Sequence, residues 1–434
     1  MATTDFHLKG HYAPVHDELT AFDLPVTGAL PPELSGWYLR NGPNPRQDSA
    51  HWFTGDGMVH GIRLENGRAA WYRNRWVRTE SFDVPNPVLY NADGSRNLRS
   101  SVANTHVVNH AGRTLALVES SLPYEITTEL DTVGVYDFDG KLADAMTAHP
   151  KICPETGELH FFGYGSITAP HVSYYRANAA GELVLRQPID VPGLTMMHDF
   201  ALTRQHVVFF DLPVVFDHGT DGGMPYRWSD TYGARLGLLS RDRPEDGVRW
   251  FEIDPCYVFH TLNAHDTADG RIVAHVVRYE HMFRPGVPDP KGALWRWTID
   301  PRAGTVAEDL LDDRDGEFPR IDDRLAGLDA RFGHVTGRQR AEGPLVLRRY
   351  DLHTNVAREH LFPEGHLPGE AVFVPADDRP DGAGWLLAYV YDGPSDRSDL
   401  VVLDAQDIEA DPVATVHLPG RVPAGFHGNW LPDA

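Results

Sequence analysis

Residues 259–274 read Phe-His-Thr-Leu-Asn-Ala-His-Asp-Thr-Ala-Asp-Gly-Arg-Ile-Val-Ala. In this stretch a short strand with a histidine near its start is followed by a polar turn and then by a strongly apolar strand. The same plan recurs, each time opening near a histidine or a glutamate, at residues 105–117, 198–210 and 370–390. Repeated sheets of this kind are typical of propeller blades. Because the innermost strands of a propeller converge on its axis, the pattern predicts that residues far apart in sequence meet at one point.

Short apolar runs separated by Gly and Pro continue along the chain, which favours many strands over long helices. One short helix is a candidate at Asp322–Ala330. No segment has the composition of a linker, so we expect one all-β domain over residues 1–434; the degenerate repeat alone also allows a β-sandwich. The clearest predicted strands are Ala70–Trp76, Thr105–Val108, Thr114–Val118, His206–Asp211, Arg271–Val277, Leu294–Ile299, Leu345–Tyr350, Trp385–Tyr391 and Leu400–Leu403.

The composition narrows the kinds of partner. A formal charge of −23 disfavours binding to nucleic acid or to an anionic lipid surface. The only cysteines, Cys153 and Cys256, fit a reducing compartment better than a disulfide-stapled secreted scaffold. The N-terminus lacks the pattern of a secretory signal, and no run of about 18 apolar residues occurs. We therefore expect a cytoplasmic protein with no nucleic-acid partner.

Four of the 23 histidines stand out by their surroundings. The gaps between them are 49, 62 and 167 residues, far from the short spacings of zinc fingers. A metal site that takes one ligand from each of several repeats has such gaps, and so do four unrelated core histidines. Spacing alone leaves both interpretations open. The four segments are Thr147-Ala-His149-Pro-Lys151, Met196-Met-His198-Asp-Phe200, Val258-Phe-His260-Thr-Leu262 and Gly425-Phe-His427-Gly-Asn429.

The motifs around these histidines resemble a known family. Together with the four histidine segments, in the same order, they are similar to motifs of the carotenoid cleavage oxygenases, and the resemblance covers nearly the whole chain. It implies a seven-bladed β-propeller whose central metal site lies under a lid of loops and short helices. The further motifs are Arg40-Asn-Gly-Pro-Asn-Pro45, His51-Trp-Phe-Thr-Gly-Asp-Gly-Met-Val-His-Gly61, Asn74-Arg-Trp-Val-Arg-Thr79 and Arg397-Ser-Asp-Leu-Val-Val-Leu-Asp404.

The resemblance also implies a cofactor and a reaction. His149, His198, His260 and His427 would hold one Fe(II) ion per chain. The family reaction adds both atoms of O₂ across a C=C double bond and gives two carbonyl products without a reducing cosubstrate. We therefore expect a dioxygenase that cleaves a carotenoid or apocarotenoid, in which no side chain needs to act as an acid or a base.

Charge balance points to carboxylates behind the ligands. Four neutral imidazoles leave the ion its full positive charge, unlike the commoner triad of two histidines and a carboxylate. A carboxylate can accept the other N–H of a ligand histidine and fix its tautomer. The resemblance implies three glutamates in this role, which the motifs map onto Glu119, Glu317 and Glu370. Glu370 opens an apolar strand, which is unusual for a surface carboxylate; for Glu119 and Glu317 a solvated surface position remains the alternative.

Residues next to the motifs are candidates for a substrate tunnel: Phe53, Val118, Phe259, Phe426 and Trp430. Val118 bears on specificity. Relatives that cleave lignostilbene or isoeugenol-type phenols carry a lysine at this position, just before the first glutamate. Valine removes that cation and favours an apolar polyene as substrate, while a stilbene- or phenylpropenoid-cleaving dioxygenase remains the alternative. The segment 216–228 is polar where membrane-docking relatives are apolar, so we expect at most peripheral membrane contact.

The other histidines and cysteines that could bind a metal are interpreted as structural residues. His106 opens a strand where the family has no ligand, and His51 and His60 flank a tight turn. Cys153 is more often a small hydrophobe than a ligand, and His16-Asp-Glu18 is a weak metal motif in a polar segment. Two other functions remain open: a propeller that only binds partners, and isomerisation of a polyene on the same scaffold.

Overall fold

The computed structural model describes residues 5–46, 49, 51–84, 87–217, 224–339 and 343–433. Seven antiparallel sheets of four or more strands follow one another around a ring, so the fold is a seven-bladed β-propeller. This confirms the predicted architecture and excludes the β-sandwich. We number the blades 1 to 7 in the chain order of their innermost strands.

Blades 1 to 5 are built in the same way, each from four strands that run outward from the axis in chain order. Blade 1 contains His106–His110, Arg113–Leu117, Tyr124–Ile126 and Thr132–Val135; blade 2 contains Lys151–Ile152, Leu159–Tyr164, Val172–Ala177 and Leu183–Ile189; blade 3 contains Phe200–Leu202, His206–Asp211, Arg235–Ser240 and Val248–Glu252. Blade 4 contains Tyr257–Asp266, Ile272–Tyr279, Ala293–Asp300 and Thr305–Asp312; blade 5 contains Gly316–Arg320, Phe332–Arg338, Leu345–Asp351 and Val356–Leu361.

Blades 6 and 7 combine strands from both ends of the chain, and this closes the ring. The C-terminal strand pairs with a strand from the beginning of the chain, so the propeller has no open edge between its first and last blades. Blade 6 contains His366–Pro368, Val372–Pro375, Gly384–Asp392, Arg397–Asp404, Ala414–His417 and Val26–Gly28; blade 7 contains Gly428–Pro432, Gly36–Pro43, Gly57–Glu65, Arg68–Trp76 and Thr20–Phe22.

Burial along the strands explains the short apolar runs of the sequence. Inner strands are covered on both faces by neighbouring blades, and every residue of Leu159–Tyr164 is buried. Outer strands face solvent on one side, and Leu183–Ile189 alternates between half-buried and exposed positions. Aromatic side chains fill the space between blades: Phe162 of blade 2 packs edge-to-face on Phe200 of blade 3 at 5.4 Å.

Helical structure is limited to single 3-10 turns among the described residues, at Asp5–Leu8, Gly10–Tyr12, Trp52–Thr54, Pro244–Asp246 and Asp323–Leu325. The predicted helix at 322–330 is therefore reduced to one turn, which the Asp322 side chain caps. A hairpin of Val214–Phe216 and Tyr226–Trp228 stands beside blade 3, and residues 218–223 of the polar segment lie outside the described residues. Within the described ranges, no helix is long and apolar enough to cross a membrane.

Candidate metal centre

Four histidines from four different blades meet at the axis of the ring. His149 and His198 lie two residues before the innermost strands of blades 2 and 3, His260 lies within that of blade 4, and His427 immediately precedes that of blade 7. The convergence follows from the radial arrangement of the sheets, because the start of every innermost strand points to the same axis. The structure therefore brings together all four histidines that the sequence motifs singled out.

The side-chain nitrogens are close enough to share one ion. Ring nitrogens of His149, His260 and His427 lie within 4.8 Å of one another. His198 joins this group through His149, since their Nε2 atoms are 3.0 Å apart. Imidazole nitrogens bonded at about 2.1 Å and at right angles to a divalent ion are about 3.0 Å from each other. The spacing of His149 and His198 thus suits two neighbouring ligands of one metal ion.

An unpartnered nitrogen is a second sign of a metal site. The Nε2 atom of His260 is buried and has no hydrogen-bond partner among the described residues. Its Nδ1 atom lies 2.6 Å from Glu317 Oε2, so the ring proton is placed on Nδ1 and the Nε2 lone pair faces the cluster. A buried polar atom without a partner is costly unless a ligand binds it. The residues therefore fit a bound metal ion.

Three carboxylates stand behind three of the histidines. Glu370 Oε1 lies 2.9 Å from Nδ1 of His427, and Glu317 holds His260 as described above. Glu119 Oε2 is 2.5 Å from Nδ1 of His198, but the two atoms are not aligned for a hydrogen bond, so this contact is mainly electrostatic. All three glutamates are at most partly exposed, which excludes the solvated surface alternative for Glu119 and Glu317.

Glu370 is the most deeply buried of the three glutamates, with 2% of its surface exposed. Besides His427 it contacts Arg320, whose Nη1 lies 3.0 Å from Oε2, and it accepts the backbone N–H of Gly428. Arg320 also donates to the carbonyl of Gly428 and to the side chain of Asn429. The positive charge of Arg320 offsets the negative charge of Glu370, and the hydrogen bonds of Arg320 connect blade 5 to the segment that contains His427. Sequence reasoning missed Arg320, although it stands three residues after Glu317.

Glu317 and the residue that follows it shape the other side of the cluster. The Tyr279 hydroxyl donates to Oε1 of Glu317 at 2.8 Å, which leaves Oε2 for His260. Phe318 adopts a left-handed backbone conformation with φ of +53°, uncommon for a residue with a large side chain. Its ring stacks on His260 at 5.7 Å and also lies against His427. This backbone strain places an aromatic wall beside the histidines.

The residues that follow the histidines fasten three blades together. Asp199, directly after His198, accepts two hydrogen bonds from Thr261, the residue after His260. Lys151, two residues after His149, lies 2.8 Å from the other carboxylate oxygen of Asp199. Asp199 is almost fully buried, and Lys151 and hydrogen-bond donors outweigh the effect of burial, so that its pKa is lowered. This charged contact fixes the relative positions of His149, His198 and His260.

Burial keeps two of the histidines unprotonated, which favours metal binding. Burial lowers the pKa of His149 well below its usual range, and the neighbouring His198 lowers it further. Burial has the same effect on the pKa of His427, with His260 as the next cause. For His260 burial acts in the same direction, but Glu317 outweighs it and the pKa is raised. At neutral pH His149 and His427 therefore present uncharged rings, the form that metals bind.

The Arg40–Pro45 motif holds the fourth histidine in place. The backbone N–H of Asn41 donates to the carbonyl of His427, and Phe426 donates back to the carbonyl of Asn41. A Cβ atom on Gly42 would lie 2.7 Å from the Cα of Gly425, so this close crossing of the two strands requires glycine. The opening motif of the chain is thus explained by its contact with the C-terminal segment.

His106 lies beside the cluster but has no free nitrogen. Its ring is 5.2 Å from that of His427, its Nδ1 lies 2.7 Å from the carbonyl of Ala148, and its Nε2 accepts from Asn429. The structural interpretation of His106 therefore agrees with its contacts. His51 caps the turn at 52–54, and His60 pairs with the hydroxyl of Tyr72. Among the described residues, neither Cys153 nor His16 joins a group that could hold a metal ion.

A cavity of about 740 Å³ opens on one side of the histidine cluster. Most of its wall is apolar, and His198, His260 and His427 face it. Four of the five predicted tunnel residues line this cavity, namely Phe53, Val118, Phe259 and Phe426. Trp430 does not: it lies on the innermost strand of blade 7, three residues beyond His427, and packs into the core between blades 6 and 7. Phe318 and Arg96 also line the cavity and were not predicted.

Comparison with known proteins places the chain in a family. The family model described as retinal pigment epithelial membrane protein matches residues 12–432. The carotenoid cleavage oxygenase of Mycobacterium tuberculosis is 40% identical, over 98% of this chain and 97% of that one. The crystal structure of lignostilbene dioxygenase from Pseudomonas brassicacearum gives a TM-score of 0.89 at 29% identity, over 98% of both chains.

A second similar solved structure is that of a metal-substituted relative. The cobalt-substituted apocarotenoid oxygenase of Synechocystis gives a TM-score of 0.85 at 26% identity, over 97% of both chains. Substitution by cobalt implies that this relative has a metal site. The match of nearly the full length to one family model, and to a curated relative at 40% identity, is decisive. The chain therefore belongs to the carotenoid cleavage oxygenases, the family of the retinal pigment epithelial membrane protein.

Proposed function

We propose that this protein is an Fe(II)-dependent dioxygenase that cleaves one C=C double bond of a carotenoid or apocarotenoid with O₂. One olefin and one O₂ give two carbonyl products, so the atoms balance without a reducing cosubstrate. The observation that carries the proposal is the convergence of four histidines on the wall of a large apolar cavity. Relatives described as carotenoid cleavage oxygenase and apocarotenoid oxygenase support the same substrate class.

His149, His198, His260 and His427 are proposed to hold the iron through their ring nitrogens. Bound Fe(II) would supply the redox chemistry that activates O₂. The protein's own part is to keep the ligands neutral, to balance the charge through Glu119, Glu317 and Glu370, and to keep water away from the double bond. Phe259, which packs edge-to-face on His198 at 5.3 Å, and Phe318, on His260, contribute this apolar cover.

The cavity supports an elongated apolar substrate. Its volume of about 740 Å³ is in the upper part of the range of ligand pockets, about 300–1,000 Å³. Val118 contributes an apolar side chain to this wall, at the position where phenol-cleaving relatives are expected to carry lysine. A polyene can lie against valine without leaving a buried charge unpaired. The similarity to a lignostilbene dioxygenase keeps stilbene cleavage as the second candidate function.

The first prediction concerns the proposed ligands. The purified protein should contain about one iron per chain, and His198→Ala or His260→Ala should retain less than about a tenth of it, because an incomplete ligand set binds metal weakly. Iron is measured by elemental analysis of folded, desalted protein. His106→Gln is the matched control, because its ring lies beside the cluster without a free nitrogen, and it should keep its iron. Full iron content in both alanine variants would refute the ligand assignment.

The second prediction concerns Glu370. Glu370→Gln keeps the shape of the side chain but removes the charge that faces both His427 and Arg320, so iron affinity or turnover should fall by about 10–100-fold. Iron binding is measured by competition with a chelator, and turnover from aldehyde formation. Glu359→Gln is the control, since Glu359 also contacts two arginines but lies in blade 5 away from the histidines. Equal behaviour of the two variants would remove Glu370 from the proposed site.

The third prediction separates the two candidate substrates. The unmodified protein should cleave an apocarotenal and act weakly or not at all on a hydroxystilbene such as resveratrol. Val118→Lys should depress apocarotenal cleavage at least about tenfold, because a buried ammonium without a partner is costly, whereas Val118→Met adds similar length without charge and should have a smaller effect. Products are identified by mass after aerobic incubation. A preference of the unmodified protein for the hydroxystilbene would favour the second candidate function.

A further inference from the structure

A single arginine lies at the junction of two cavities. The large cavity beside the histidines borders a smaller one of about 270 Å³, and Arg96 lines both of them. Glu119, Ser120 and Tyr226 also belong to both walls. The smaller cavity is richer in polar groups, among them the hydroxyl of Tyr164. The apolar cavity beside the histidines therefore borders a smaller, more polar cavity, which we call the recess.

Arg96 is held in position by its own segment of the chain. Its backbone forms an antiparallel bridge with Tyr90, and the turn between them is closed by a hydrogen bond of 2.8 Å from Asn91 to Ser95. The guanidinium lies 5.5 Å from the centre of the Tyr90 ring. These contacts fix the side chain at the junction, so its position does not depend on a bound ligand.

The charge of Arg96 is not balanced by the protein. Arg96 forms no ion pair within the described ranges of the chain, and its one polar side-chain contact is at 3.5 Å to Ser120. Its Nε atom is buried and has no hydrogen-bond partner among the residues that the structure describes. Glu119, the carboxylate that shares both cavities, is engaged with His198. A guanidinium beside apolar walls with unused donors is costly unless a ligand accepts from it.

Tyr164 and Tyr226 add hydroxyl donors to the recess. Two carboxylates besides Glu119 also line it, and both are engaged within the protein: Asp93 accepts from Ser95, and Asp144 accepts from Tyr175 and pairs with Arg186. Burial raises the pKa of the Tyr164 hydroxyl, and the nearby Glu119 raises it further, so this group stays neutral. Burial also raises the pKa of Tyr226. Neutral hydroxyls and a guanidinium all donate to an oxygen that carries lone pairs, and arginine binds a carboxylate through two parallel hydrogen bonds.

We propose that Arg96 binds a terminal carbonyl oxygen of the substrate, so that the preferred substrate is a polyene that ends in a carboxylate or an aldehyde. The inference rests on the proposed function, because it takes the large cavity to be the substrate site. It adds to the expectation drawn from Val118: position 118 is apolar, and the cavity contains a cation that comes from the segment before blade 1. The polyene lies along the apolar wall, and its oxygen reaches the recess.

Binding under anaerobic conditions tests this proposal without turnover. The probes are all-trans-retinoic acid, all-trans-retinal and axerophthene, the hydrocarbon with the same skeleton. Each is titrated while tryptophan fluorescence is followed, since Trp52 lines the large cavity. Arg96→Met should weaken binding of the acid by about 10–100-fold and that of the aldehyde by less, because charged hydrogen bonds are lost. Binding of the hydrocarbon should stay within about threefold, because its burial is unchanged.

Two further variants separate a specific contact from a structural role. Arg96→Lys keeps the charge and should recover part of the affinity for the acid, whereas Arg99→Met removes a nearby exposed arginine that pairs with Glu80 and should change nothing. Equal weakening of all three probes by Arg96→Met, or no weakening of the acid, would overturn the proposal. Aerobic product analysis of the same proteins reports the cleavage reaction separately. Arg96-dependent binding without carbonyl products would contradict the proposed function and leave the Arg96 site standing.

Discussion

The arrangement of the whole molecule depends on one electrostatic constraint. Four imidazole rings must lie around one point, and no carboxylate lies among them to balance the charge of a metal ion. Burial keeps at least His149 and His427 uncharged, so the rings do not repel each other strongly and their lone pairs stay available. The negative charge that would balance a dication is carried by Glu119, Glu317 and Glu370, which contact the histidines on the side away from the cluster. In this arrangement a bound dication would keep a high effective charge, while the site as a whole would be closer to neutral.

A ring of blades meets this constraint in a way that a single sheet cannot. Each histidine comes from a different blade, so its position depends on the closure of the ring and on contacts between blades. The buried Asp199 joins three of the histidine segments through Lys151 and Thr261, and Arg320 joins the fourth to blade 5. The charged residues near the axis are therefore structural parts of the centre, even though none of them needs to donate a proton to the substrate.

Local patterns in the sequence predicted many of the strands, whereas the four histidines that meet at the axis were singled out by the family resemblance of their flanking motifs. His206–Asp211 forms the strand that its continuous run of apolar residues predicts, and His260 stands in a repeat whose plan is that of a blade. Contacts between blades could not be predicted in the same way. Arg320, Asp199 and Arg96 act across gaps of tens of residues, and no local periodicity marks them. Trp430 was misplaced as a tunnel residue because closeness to His427 in sequence does not bring its side chain to the cavity.

Reactions on carotenoids and on stilbenes are both represented among the relatives of this fold, so the substrate is decided by the cavity wall and not by the metal centre. In this chain the wall combines an apolar side chain at Val118 with the guanidinium of Arg96, which forms no ion pair with any described residue. The first favours a hydrocarbon chain and the second an oxygen at its end. Phe318, strained beside His260, closes the same space from the side of blade 5.

The central claim is that one iron is bound by His149, His198, His260 and His427 and by no carboxylate. Anomalous diffraction at the iron edge, from crystals of the iron-loaded protein grown without O₂, tests it most directly. The account predicts one anomalous peak per chain at bonding distance from a ring nitrogen of each of the four histidines, with the three glutamates further away. A peak bonded to Glu119, Glu317 or Glu370, or a peak elsewhere in the molecule, would contradict it.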